Sequence, residues 1–106
     1  MNHVRIATFD ITHGTVDEIV EAVSSEGGLR DVFRSLPGFQ SNSLIEIDPI
    51  TCISISVWET HEAAEHAVVE SAIWVAEHVE SRTHRTANWV GEARYWDLAG
   101  LEPTSD

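Results

Sequence analysis

The chain has 106 residues, 42% of them hydrophobic, with six Arg, no Lys and 18 acidic residues, for a formal charge of −12. That length fits one domain with a modest core, and so acidic a surface repels phosphate backbones and anionic lipid, which excludes nucleic acid and membrane surfaces as partners. No apolar stretch approaches the roughly 20 residues of a membrane span, and charged and polar residues begin by His3 and Arg5, so a cytoplasmic location is expected.

The first predicted element is a strand over about residues 3 to 12, in which Val4, Ile6, Thr8 and Asp10 alternate with Arg5, Ala7, Phe9 and Ile11. Apolar residues fall on both sides of that alternation, so the strand is expected to be internal. His13-Gly14 turns the chain, and Thr15 with Glu18 makes a capping box that satisfies free amides of a first helical turn. Val16, Ile19, Val20 and Val23 form the stripe of that helix, which Gly27-Gly28 ends. A short helix over residues 29 to 36 follows, with Leu29, Val32, Phe33 and Leu36 at helical spacing, and Pro37 stops it.

A second strand is predicted over residues 38 to 47, with Phe39, Ser41, Ser43, Ile45 and Ile47 on one side and Gln40, Asn42, Leu44 and Glu46 on the other. Asp48-Pro49 turns the chain into a third strand over residues 52 to 58. Thr60 caps the longest helix, residues 61 to about 81, which contains no Gly or Pro. Its stripe is Ala64, Ala67, Val68, Ser71, Ala72, Val75 and Val79. A fourth strand over residues 86 to 98 closes a single domain spanning residues 1–100, and residues 101–106 read as a loose tail. Cys52 is the only cysteine; an internal disulfide is excluded, and it reads as a small buried strand residue.

Two strand-helix-strand halves with helices on one side predict an α+β chain with a four-stranded antiparallel sheet of the ferredoxin-like kind. The other sheet face would be left bare and partly apolar, so a homodimer that packs sheet to sheet is expected.

Leu36-Pro37-Gly38-Phe39 before the second strand, Val57-Trp58-Glu59-Thr60 after the third, and Ser71-Ala72-Ile73-Trp74 in the long helix resemble the antibiotic-biosynthesis-monooxygenase type of dimeric α/β-barrel protein, over about residues 4 to 97. That family includes oxygenases of phenols and quinols that need no cofactor, haem-degrading oxygenases, and proteins with no established reaction. The resemblance implies a homodimer whose ligand, a small aromatic molecule, lies between the long helix and the sheet. An electron-rich phenol can itself reduce dioxygen once deprotonated, so such a protein need only exclude water, orient the ring and stabilise an anion.

For that task His78, Asn88 and Arg94 are the candidate catalytic groups, and Trp74, Val68, Phe9 and Trp89 the candidate substrate-binding residues, with no cofactor and no metal. Trp74 and His78 form an i,i+4 pair on one helix face, and Trp96 is a further aromatic of the fourth strand. Each has a plainer reading: the tryptophans as core or interface aromatics, Arg94 as a surface ion pair, and His78 as a histidine favoured by the helix dipole. Trp58 is expected to pack the strand end beneath the helix cap.

Two alternatives stand beside the oxygenase. One is a dimer that binds a small ligand or assists another protein without catalysis. The other follows from the resemblance to the haem-degrading members, in which His78 would correspond to the haem ligand; Ala7 and Val68 stand where those members carry asparagine and tryptophan. Glu62, His66 and Glu70 share a helix face that could hold a divalent ion, or that simply belongs to an acidic solvent face. The chain has no phosphate loop and no nucleotide fingerprint.

Overall fold

The computed structural model describes residues 2–97. Seven elements follow one another: β1 (His3–Ile11), α1 (Val16–Ser24), α2 (Leu29–Ser35), β2 (Phe39–Asp48), β3 (Thr51–Trp58), α3 (His61–His78) and β4 (Thr83–Glu92). The strands form one antiparallel sheet in the order β2-β3-β1-β4, so β1 is internal as its two-sided apolar pattern requires. This is the α+β ferredoxin-like arrangement. None of the described helices is long and apolar enough to cross a membrane.

Local chemistry accounts for the ends of the helices. Thr15 accepts from the Glu18 amide while the Glu18 carboxylate accepts from the Thr15 amide at 2.9 Å, which closes the capping box. Thr60 caps α3 in the same way through the Ala63 amide. Gly28 joins α1 to α2 so closely that a Cβ there would collide with the carbonyl oxygens of Ala22 and Val23. Gly38 has φ +81°, and a Cβ there would lie 3.0 Å from that of Ala63, so the turn into β2 needs glycine both for its backbone and for its space.

The helices cover one face of the sheet over a core of Ile11, Ile19, Phe33, Trp58, Ala64, Ala67 and Trp74. Trp58 is fully buried; its indole N–H donates to Ser56 Oγ at 2.8 Å and its ring meets Phe33 and Phe39 edge-on. The opposite face exposes Ile45, Ile47 and Trp89.

Several boundaries and faces differ from the sequence expectation. Helix α3 ends at His78, not near Ser81, because Val79 leaves the helix and its carbonyl accepts from the amides of Arg82 and Thr83 in a tight turn. Strand β4 begins at Thr83 and ends at Glu92, instead of running from 86 to 98, because its only partner is β1: Thr83 pairs with Ile11 and Glu92 with His3, where that partner runs out. Arg94 and Trp96, expected on the strand, therefore lie beyond it and are exposed. A register shift between Phe39 and Ser41 turns Phe39 toward the helices, away from the side of Ser41, Ser43, Ile45 and Ile47. Val20 and Ala72, assigned to buried stripes, are exposed, and Trp74 takes the buried position on α3. The tail at 101–106 lies outside the described residues.

Candidate active site

The helix-covered face of β1 carries Arg5, Ala7, Phe9 and Ile11 by simple alternation, and that of β3 carries Cys52, Ser54, Ser56 and Trp58. Two small serines opposite the α3 stripe leave the sheet short of volume near its centre. The result is a narrow cavity of about 40 Å³ between α1, α2, α3 and the sheet, room for two or three water-sized molecules on a scale where one water needs ~10–15 Å³. Phe9, Leu44, Cys52, Trp74, Val75 and Val79 supply much of its apolar wall.

Arg5, Phe9, Ser71, Val75 and Thr83 line this cavity and also a wider groove of about 400 Å³ whose other walls include Glu80, His84 and Arg85. The two spaces thus share a boundary at Arg5. The groove has the volume of a small-molecule site, and the cavity behind it has not.

Arg5 is the feature that composition and motif both passed over. Its side chain is 2% exposed. Its Nε–H donates to Asn88 Oδ1 at 3.0 Å, and no carboxylate among the described residues lies within ion-pair distance of it. Burial, reinforced by the nearby Arg85 charge, lowers its pKa to about 10, so at neutral pH it is a cation held out of water with only a neutral amide as partner. The signal for it was present: alternation places Arg5 on the same side of β1 as Ala7, Phe9 and Ile11.

The seven candidates from the sequence fall in different places. Trp74 is buried and lines the cavity, its indole N–H donating to the Gly27 carbonyl at 3.3 Å. Phe9 lines both cavity and groove. Asn88 acts one step back, as the partner of Arg5. Val68 is half-buried and lines neither space; its carbonyl accepts from Ser71 Oγ at 3.1 Å. Trp89 is 56% exposed on the bare face of the sheet, paired with Ile6, so the sheet separates it from the cavity. Arg94 is exposed beyond β4.

His78 stacks on Trp74 with ring centroids 4.7 Å apart and planes 12° from parallel, and its Nδ1 lies 2.9 Å from the Trp74 carbonyl. It belongs to a separate shallow groove with Gly27, Gly28 and Arg82, and Trp74 forms the wall between that groove and the cavity. A haem held by His78 would therefore lie in that outer groove, outside the cavity.

The cavity itself holds two titratable side chains, Arg5 and Cys52, and burial pushes the Cys52 thiol up, away from reactivity. Among the described residues no group of three His, Cys, Asp or Glu could hold a metal. On the face of α3 where a cation site was conceivable, His66 and Glu70 sit 3.9 Å apart at the surface.

No family model and no curated protein matches the chain. Solved structures match its fold. The chain is 18% identical to SnoaB, a cofactor-independent oxygenase from Streptomyces nogalater, with TM-score 0.71, covering 90% of this chain and 95% of that one. It is 19% identical to a monooxygenase from the gene ActVA-Orf6 of Streptomyces coelicolor, solved with the ligand nanaomycin D, with TM-score 0.65, covering 92% and 91%. It is also 13% identical to a NIPSNAP family protein from Agrobacterium tumefaciens, with TM-score 0.60, covering 87% and 92%. The fold read from the sequence motifs is therefore that of the antibiotic biosynthesis monooxygenase structures.

Proposed function

We propose that this chain binds a small, flat phenol or hydroquinone in the groove at Arg5 and oxygenates it with dioxygen, without a cofactor. The observation that carries this reading is the buried Arg5, charged, without a carboxylate partner, and placed between a ligand-sized groove and an apolar cavity. Its likeness in fold to two oxygenases supports the same reading, although one fold serves many functions.

The chemistry asks little of the protein. A phenol ionises near pH 10, and an opposite charge held within a few ångströms favours the anion by ~1–3 pKa units. The proton passes to Glu80, His84 or solvent in the groove, and the phenolate is electron-rich enough to pass an electron to dioxygen. Recombination of the resulting pair forms a carbon–oxygen bond, and loss of water then leaves a quinone. One oxygen atom stays on the ring, the other departs as water, and all four electrons come from the substrate. In this account Arg5 stabilises the anion, Asn88 positions Arg5, Phe9 packs against the ring, and the apolar cavity behind Arg5 holds dioxygen out of water.

The bare sheet face, with Ile45, Ile47 and Trp89 exposed, supports association of two copies through it. A second reading, a dimer that binds a small ligand without reacting it, is favoured by one specific observation: the groups of the groove able to accept the phenolic proton, Glu80 and His84, are both exposed to solvent. Dioxygen consumption with a panel of phenols and hydroquinones separates the two, because the oxygenase consumes dioxygen in step with quinone formation and the binder consumes none.

A further inference from the structure

Arg5 and Arg85 sit on the same side of one groove in a chain with a formal charge of −12. Although 18 carboxylates are available, neither guanidinium lies within ion-pair distance of one among the described residues; Glu80 lines the same groove without pairing with either. Arg85 is close enough to Arg5 to depress its proton affinity further. Two like charges near each other, one of them desolvated, form an arrangement that a bound anion relieves and a neutral ligand does not. Past Arg5 the walls turn apolar, with Phe9, Val75 and Trp74.

We infer that the ligand of this groove carries an anionic group, a carboxylate or an ionised phenol, on a flat apolar body, and that Arg5 and Arg85 together hold that group at the boundary between groove and cavity. The inference rests on the groove being the ligand site of the proposed function, and it narrows the substrate class to acidic aromatics. The acidic surface excludes polyanions from approach, yet a small monoanion meets only the local field of the two arginines.

The test uses three naphthalene probes of matched shape, 2-naphthoate, 2-naphthol and naphthalene-2-carboxamide, titrated calorimetrically into the full-length protein. 2-Naphthoate should bind at least tenfold more tightly than the neutral carboxamide, with an affinity that falls as salt is raised. 2-Naphthol should bind with release of a proton at a pH below its own ionisation, where Arg5 is still charged, which separates the phenolate from the carboxylate as the preferred anion. Arg5→Gln should abolish the preference for naphthoate over carboxamide, and Arg85→Gln, at an exposed strand position that leaves the core untouched, should reduce it severalfold even if the Arg5 variant does not fold. Equal binding of naphthoate and carboxamide, or a preference that survives in Arg85→Gln and in a folded Arg5→Gln, would overturn the inference. No oxidation is needed for any of these titrations, so failure of the oxygenase reading in an oxygen-uptake assay leaves this result independent.

Discussion

Arg5 on β1 and Asn88 on β4 are joined across the sheet by one hydrogen bond, Nε–H to Oδ1 at 3.0 Å, and that neutral amide is, among the described residues, the only side-chain hydrogen-bond partner of an arginine that is 2% exposed. A carboxylate in place of the amide would neutralise Arg5 permanently and remove its use to a ligand. Asn88→Asp should therefore leave the protein folded and weaken 2-naphthoate binding by at least tenfold, as measured by titration calorimetry. Asn88→Ala should instead leave Nε–H unsatisfied and lower stability by about 1–3 kcal/mol in urea unfolding.

Holding Arg5 charged in this position opposes folding. A drop from the ordinary arginine value to about 10 corresponds to a cost on the order of 3 kcal/mol at neutral pH. The sign follows from proton binding: between pH ~10 and the ordinary arginine value the unfolded chain keeps a proton that the folded chain has released, so this contribution to stability rises with pH through that window and is constant below it. Arg5→Met removes the charge and keeps much of the volume, and should raise stability by about 1–3 kcal/mol at pH 7 in urea unfolding while losing the anion preference. A loss of stability would mean that the guanidinium is better compensated than its surroundings indicate.

His78 and Trp74 are stacked, yet they face different spaces. His78→Ala should leave naphthoate affinity within about twofold and cost less than ~1 kcal/mol, since the imidazole is exposed. Trp74→Ala opens the wall of the cavity and should cost ~3–5 kcal/mol in thermal or chemical unfolding. Nearly equal destabilisation by the two substitutions would contradict this division.

Trp89 stands on the bare face of the sheet, across from Ile6 and far from the cavity. If a second copy covers that face, Trp89→Glu should convert dimer to monomer in sedimentation equilibrium while the circular dichroism of the fold persists. A monomeric wild-type protein would remove the dimer from the account.

Local signals were legible because they act within a few residues. The Thr15 and Glu18 capping box, the Thr60 cap, Pro37-Gly38 and Asp48-Pro49 each mark an element boundary in the structure to within a few residues. What escaped depended on distant partners. The limits of β4 are those of β1, more than 70 residues away in sequence, and no pattern within residues 83 to 98 carries that information. The shift at Phe39 moves one aromatic ring from the bare face to the core, and alternation alone cannot foresee an inserted residue. Trp89 and Asn88 are neighbours on one strand, and which of them faces the helices depends on the register of β4 against β1. Arg5 was legible in principle, because alternation puts it on the same side of β1 as Ala7, Phe9 and Ile11, the more apolar side. Aromatic and histidine residues drew the eye to α3 and away from it.

The central claim, that Arg5 stabilises an aromatic anion that passes an electron to dioxygen, is tested most directly by dioxygen consumption with 1,4-naphthohydroquinone and a phenolic panel in metal-free buffer, comparing the wild-type protein with Arg5→Gln and Arg5→Lys. The account predicts protein-dependent oxygen uptake matched by quinone formation, reduced at least 100-fold in Arg5→Gln, an effect of about 3 kcal/mol on the barrier, and partly restored in Arg5→Lys. Oxygen uptake no faster than in buffer for every substrate, or uptake unchanged in Arg5→Gln, would contradict it.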